Sequence, residues 1–261
     1  MLSRLVVGLW GGPKAGKSHC ALGFPIPIVV FDFNYGLEGV IEKFEKEPWN
    51  RRVYHVESKL TIGEALAKGD IVVYHYPRRL VHTMEERYAQ SSAVYARFSR
   101  EYQEAVDRIP EGGTLFIDTA TEVDDLVQIV KLEEVRVHKY HGKTQAEDFQ
   151  PAAFDYGARN EEIGNVYRAP LQRRGINAVF AHKSKQKYEG KEAIPDAIEM
   201  AGWKGAPHEV QAMVQSIRHG AGVNVAFKGR LSYSRMWPQL EGIALDELSH
   251  DFLYAVIDGA G

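Results

Sequence analysis

LVVGLWGGPKAGKSHCALGF, residues 5–24, decides how the rest of the chain is read. Leu5 to Trp10 is an unbroken apolar run, the pattern of a strand buried on both faces. It passes through GGPKAGKS into His19, Cys20, Ala21 and Leu22, which carry helical spacing. Gly11, Gly16, Lys17 and Ser18 fit the GxxxxGK[ST] spacing of a phosphate loop. Glycines let backbone N–H groups turn inward around phosphate oxygens, and the helix N-terminus that follows adds partial positive charge. Gly11, Gly12, Pro13, Lys14, Ala15, Gly16, Lys17, Ser18 and His19 are therefore expected to line a nucleotide's phosphates. Lys17 would reach the β- and γ-phosphates, and the Ser18 hydroxyl would ligate Mg²⁺.

Whole-chain properties narrow the reading. At 261 residues the chain is long enough for one large α/β domain, and we expect one spanning 1–261. A formal net charge of −3 gives no global pull toward nucleic acid, so any such site must be local. One cysteine, Cys20, excludes an internal disulfide framework and most cysteine-rich metal sites. No stretch reaches the roughly 18 apolar residues of a membrane span. The first strand begins after only four residues, which leaves no room for a signal peptide. A cytoplasmic protein is expected.

Further along, Ile26 to Phe33 is a second apolar strand that ends beside Asp32 and Asn34. Residues 40–52 read as helix, and Val53 to Val56 and Ile71 to Tyr76 as strands. Residues 82–108 carry an apolar stripe at helical spacing. Thr114 to Asp118 is an apolar strand with a carboxylate at its tip, a place from which Asp118 would hold the magnesium shell. Thr119 to Val130 reads as helix. Residues 138–153 lack periodicity and read as a mobile loop. A helix over 154–174 and a strand from Ile176 to Ala181 deliver His182. Residues 183–207 read as a long loop, two strands flank Lys228 to Arg230, and a helix closes the chain. Strands alternating with helices imply a mostly parallel sheet covered on both faces, with late antiparallel strands.

GGPKAGKS, VVFDFNYG, TLFIDTATEVDDL and NVAFKGR together resemble the RecA-core ATPases, with FDYGARNEEIG and INAVFAHK over residues 154–183. The likeness is strongest to the phage-encoded, Sak-type branch used in recombination and annealing, and it spans Leu5 to about Leu240. It implies ATP and Mg²⁺ as cofactors. It also implies a glutamate at the end of the second strand to activate water, but Asn34 stands there. An amide orients water without accepting its proton, so turnover should be slow. Asp32 is the alternative base, or else a buried structural carboxylate, and Glu38 is a looser candidate. His182 falls where relatives sense the γ-phosphate, with Lys183 as the fallback. Lys228 and Arg230 resemble a cation pair that reaches a neighbouring subunit's nucleotide, which implies a ring or filament of identical chains.

The same resemblance places single-stranded-DNA contacts in the two loops. The first offers Lys139 and Lys143, and the second Lys183, Lys185, Lys187, Tyr188, Lys191, Trp203 and Lys204. Lysines follow phosphates and rings stack on bases. The reading is thus an ATP- and Mg²⁺-dependent, single-stranded-DNA-binding ATPase of recombination or annealing. Its rivals are a nucleoside or nucleotide kinase and a nucleotide-switched assembly or packaging factor.

Overall fold

Among the described residues nine strands form one sheet, because most of them are apolar on both sides and can only be buried between two helical layers. The computed structural model describes residues 3–57, 60–77, 79–141, 148–173, 175–220 and 225–259. In chain order the first elements are β1 (Val6–Trp10), α1 (Lys17–Leu22), β2 (Ile28–Asp32), α2 (Ile41–Phe44) and β3 (Val53–His55). Then come α3 (Ile62–Leu66), β4 (Ile71–His75), α4 (Met84–Arg108), β5 (Thr114–Asp118) and α5 (Ala120–His138). α6 (Gly157–Gln172), β6 (Asn177–His182), β7 (Ser184–Glu189), β8 (Glu192–Met200) and α7 (Ala206–Glu209) follow. β9 (Ala212–His219), β10 (Ala226–Ser234), β11 (Ala244–Leu245) and α8 (His250–Asp258) end the chain.

The sheet order is β11-β10-β9-β1-β6-β5-β2-β4-β3. Strands from β9 to β3 run parallel, and β10 and β11 add antiparallel pairs at one edge. The sheet is therefore mostly parallel, flanked by helices, with antiparallel strands near the C-terminus. Alternate residues of each strand feed two cores. Val29, Phe31, Leu115 and Ile117 pack under α3 to α6, while Ile28, Val30 and Phe116 pack under α1, α2 and α8. Burying one such side chain contributes about 1.5–3 kcal/mol.

Three sequence expectations are corrected. Residues 183–207 are not a loop, because β7 and β8 pair as a two-stranded antiparallel ribbon apart from the main sheet. Lys228 to Arg230 do not separate two strands but sit inside β10, whose partner β9 the sequence reading missed. The helix expected over 40–52 shrinks to Ile41–Phe44, followed by turns. The strand run VQSIRH in β9 had too few apolar residues to stand out; its inner residues are buried by β1 and β10. Of the first expected loop, Lys143 lies outside the described residues.

Candidate nucleotide site

The phosphate loop leaves β1 at its carboxyl end, where parallel α/β sheets place their ligands. Its turns need backbone that side chains rarely adopt: Gly16 has φ +95° and even Lys14 has φ +58°. A Cβ on Gly16 would also run into the Phe227 ring, so only glycine fits there. Lys17 Nζ donates to the carbonyls of Gly11 and Gly12 at 2.9 and 2.8 Å. Its ammonium is thus held over the loop. Burial pushes its pKa down, opposed by the charge of Asp118.

Asp118 ends β5, and Thr119 turns the chain into α5 by accepting a hydrogen bond from the Glu122 N–H as N-cap. The Ser18 hydroxyl donates to Asp118 Oδ2 at 2.7 Å. Burial pushes the Asp118 carboxyl up to about 6, and the neighbouring Asp32 adds to the shift against the Ser18 hydrogen bond and Lys17. A hydroxyl and a buried carboxylate that meet beside a lysine are the hard oxygen donors Mg²⁺ takes when it keeps most of its waters. These residues therefore fit the ion. Among the described residues no group of three or more His, Cys, Asp or Glu could hold a metal by itself, so the nucleotide would have to supply further oxygens.

Two cavities meet at the loop. The first, of about 380 Å³, is lined by Gly11, Pro13, Lys14, Lys17, Ser18, Asn34, Gly36, Asp118, Thr119, Lys183 and Ser184. The second, of about 720 Å³, shares Lys14, Lys17, Ser18 and Gly36 and adds Gly16, His19, Glu38, Lys43, Arg218 and Phe227 among others. Sequence reasoning missed Thr119, Ser184, Arg218 and Phe227. Phe227 lay within NVAFKGR, but only long-range pairing of β10 with β9 carries it to Gly16.

Other expected site residues fall elsewhere. Asp32 does not line either cavity; its side chain has no exposure, and Oδ1 accepts from the Asn34 N–H at 3.1 Å. His182 is fully buried under Tyr167, 3.3 Å from the Tyr167 hydroxyl, so its ring does not reach the cavity. Burial, with the Lys17 charge adding, holds it down to about 4 and hence neutral. Lys183, one residue on, does line the first cavity and is paired with Glu122. Lys228 pairs with Asp246 at 3.2 Å, Arg230 Nε donates to the Gly242 carbonyl, and neither lines either of these cavities in its own subunit.

The expected DNA contacts divide in the same way. Lys139 is committed to Asp155 at 2.6 Å and lies over the Phe154 ring. Trp203 is half-buried against Tyr167, with ring centroids 5.7 Å apart, so its ring packs on the core and is only partly open to solvent. Lys185 pairs with Glu199. Lys187, Tyr188, Lys191 and Lys204 are exposed.

No family model matches the chain, and no curated protein matches it. Among solved structures it is similar to a KaiC-like protein from the hyperthermophilic archaeon Pyrococcus horikoshii OT3, with 9% identity and a TM-score of 0.38. That match covers 92% of this chain and 83% of the other. It is also similar to the genome packaging NTPase of Sulfolobus turreted icosahedral virus 2, solved in complex with ATP-gammaS. There the identity is 14% and the TM-score 0.37, over 86% of this chain and 79% of the other. Likenesses this distant carry no functional argument. No helix among the described residues is long and apolar enough to cross a membrane.

Proposed function

We propose that the chain is a RecA-type ATPase that binds Mg²⁺ and ATP at the phosphate loop and hydrolyses the nucleotide slowly. The observation that carries the reading is the convergence of Lys17, the Ser18–Asp118 pair and the glycine-shaped loop on one cavity. Phosphates would take the first cavity and the nucleoside the second, beside Phe227 and His19. Bound Mg²⁺ would supply charge neutralisation at the phosphate oxygens, held by Ser18 and Asp118. Lys17 exchanges its two carbonyl partners for phosphate oxygens, and Lys183 adds a second cation where charge develops. Asn34, on the lining of the same cavity, orients water but cannot take its proton. Among the described residues Asp118 is the one carboxylate lining the first cavity, and it is committed to Ser18 and the ion, which is why turnover is slow.

Single-stranded DNA is the proposed partner, along Lys187, Tyr188 and Lys191 of the β7–β8 ribbon, which starts at the cavity rim with Ser184. Recombination or annealing of the phage type is the proposed setting, in an oligomer where Lys228 and Arg230 reach the next subunit. Asn34 also favours a second reading, an assembly or packaging factor switched by ATP binding with scant turnover. The test measures ATP binding and turnover with and without single-stranded DNA, alongside Lys17→Ala. The expected outcome is slow hydrolysis that DNA accelerates, and nucleotide affinity reduced about a hundredfold in the variant, since a charge-assisted hydrogen bond contributes about 1.5–3 kcal/mol. Unchanged binding by Lys17→Ala would overturn the site. Binding with no turnover under either condition would select the assembly factor.

A further inference from the structure

The carboxyl tips of β5, β2, β4 and β3 carry a continuous row of polar side chains on one face of the sheet. Asp118 and Asp32 are register partners on β5 and β2, and Asp32 and His75 are register partners on β2 and β4. Asp32 Oδ2 lies 3.2 Å from His75 Nδ1. The contact is close but poorly aligned, and neither atom makes a well-directed hydrogen bond. It is an electrostatic hold more than a hydrogen bond. His75 Nε2 lies 2.9 Å from His55 Nδ1 on the edge strand. With a proton on Nδ1 facing Asp32, the other His75 nitrogen is left to accept from His55, so the row has a consistent donor order.

The rings form a second connection along the same row. Tyr35 stacks on His75 with centroids 5.0 Å apart at 15°, while the His55 ring, 5.2 Å away at 4°, lies nearly coplanar with His75, as their 2.9 Å nitrogen contact requires. Tyr35 has φ +53°, a conformation that costs a tyrosine energy and persists only where surroundings impose it. In this conformation its ring lies against His75. The strained residue sits between Asn34 and Gly36, both of which line the first cavity, and the space a Gly36 Cβ would take is 4.0 Å from Asp118 Oδ2. Asp32 Oδ1 holds the Asn34 N–H from below.

We propose that His75 is a positioning residue for this cavity: through Asp32 and through Tyr35 it fixes the Asn34–Gly36 turn against Asp118. It touches neither cavity. Its effect is on where the Asn34 amide points, and so on water orientation, while the phosphate loop is untouched. The inference rests on the ATPase reading for its kinetic consequence but not for its structural one.

The test uses the full chain with His75→Ala, His75→Asn and His75→Phe. His75→Asn keeps a donor toward Asp32 and loses the ring; His75→Phe keeps the ring and loses the donor. In His75→Ala, kcat for ATP is expected to fall about tenfold or more, since a misplacement near 1 Å costs up to a hundredfold. Affinity for a non-hydrolysable ATP analogue should stay within about twofold, because the loop's own donors are unchanged. His75→Asn should recover part of kcat through Asp32, and His75→Phe a smaller part through Tyr35 alone, because Asp32 then faces carbon. Unchanged kcat in His75→Ala, or kcat and analogue affinity falling together, would overturn the proposal. Independently of activity, hydrogen exchange at the Asn34 amide should quicken about tenfold in His75→Ala; unchanged exchange overturns the proposal as well. A wild-type protein without turnover counts against the ATPase reading alone, and the exchange measurement then decides the positioning role.

Discussion

Strand β6 and the β7–β8 ribbon are consecutive in the chain and opposite in character. Every residue of Asn177–His182 is buried, held by β1 on one side and β5 on the other. Two residues past His182 the chain is in β7, where Lys185, Lys187, Tyr188 and Glu189 face solvent and the only strand partner among the described residues is β8. Lys183 is the hinge between the two regimes, with its side chain at the cavity wall. The contrast separates what a residue type implies from what a position implies. A histidine at a strand tip and a tryptophan in a basic stretch both look functional in sequence. The structure encloses the first in the core and leans the second on it. Three measurements along 182–203 test that contrast, each with a smaller expected effect than the one before.

The largest effect lies at the buried end. His182 is held near 4 in the folded chain against 6.5 in the unfolded one, so the unfolded state takes up the proton first as pH falls. The stability this neutral imidazole supports is fully present above pH 6.5 and is lost as pH drops toward 4. The slope is about 1.4 kcal/mol per pH unit, or about 3 kcal/mol over the window. Asp118 and Asp124, both pushed up to about 6 chiefly by burial, work in the opposite sense, because the folded state retains their protons. The wild-type curve alone would therefore mix the two. The difference in unfolding free energy between wild type and His182→Gln, from urea titrations between pH 7 and 4.5, cancels the carboxylates and should shrink as pH falls. A difference that does not vary with pH would mean that His182 is solvated and that β6 is not set apart from the ribbon.

Trp203 stands where the chain returns from the ribbon to the core. With its ring beside Tyr167 and along Gly164 and Gly205, Trp203→Ala is expected to cost about 2 kcal/mol of stability, less than full burial would give. Single-strand affinity should not change. Binding that weakens by about 1–3 kcal/mol with an unaltered melting temperature would restore the stacking role that the sequence implied.

How much was legible follows from the range of the interactions. Gly11 to Ser18 stood out because the phosphate-loop pattern is specified by eight consecutive residues and does not depend on distant contacts. β5 was bounded to the residue for a similar reason, being an apolar run closed by Asp118 and the capping Thr119. β9 and the ribbon were missed because pairing defines them more than composition does: the inner side chains of β9 become apolar surroundings only once β1 and β10 flank it. His75 and Tyr35 carried no signal of their own. Their connection to Asn34 passes through strands about forty residues apart in sequence, which only the register of β2 and β4 brings together.

The smallest effect belongs to the ribbon's tip, and it bears on the partner. Lys187 and Lys191 are exposed beside Tyr188, whose side chain and backbone are 59% exposed, whereas Lys185 is tied to Glu199. If the two exposed lysines follow a single strand's phosphates, each releases counterions on binding. Replacing both with alanine should then reduce the slope of log affinity against log salt by about 0.7 for each phosphate that is no longer neutralised. The affinity at moderate salt should fall by about 1 kcal/mol, an exposed cation being weakly coupled in water. Lys185→Ala is the matched control, since its charge is already partnered and its removal should move the slope less. Neither change should alter the melting temperature, because no core residue is disturbed. Equal slopes for wild type and the double variant, with DNA still bound, would place the strand elsewhere on the molecule and leave the ribbon as a surface for a different partner.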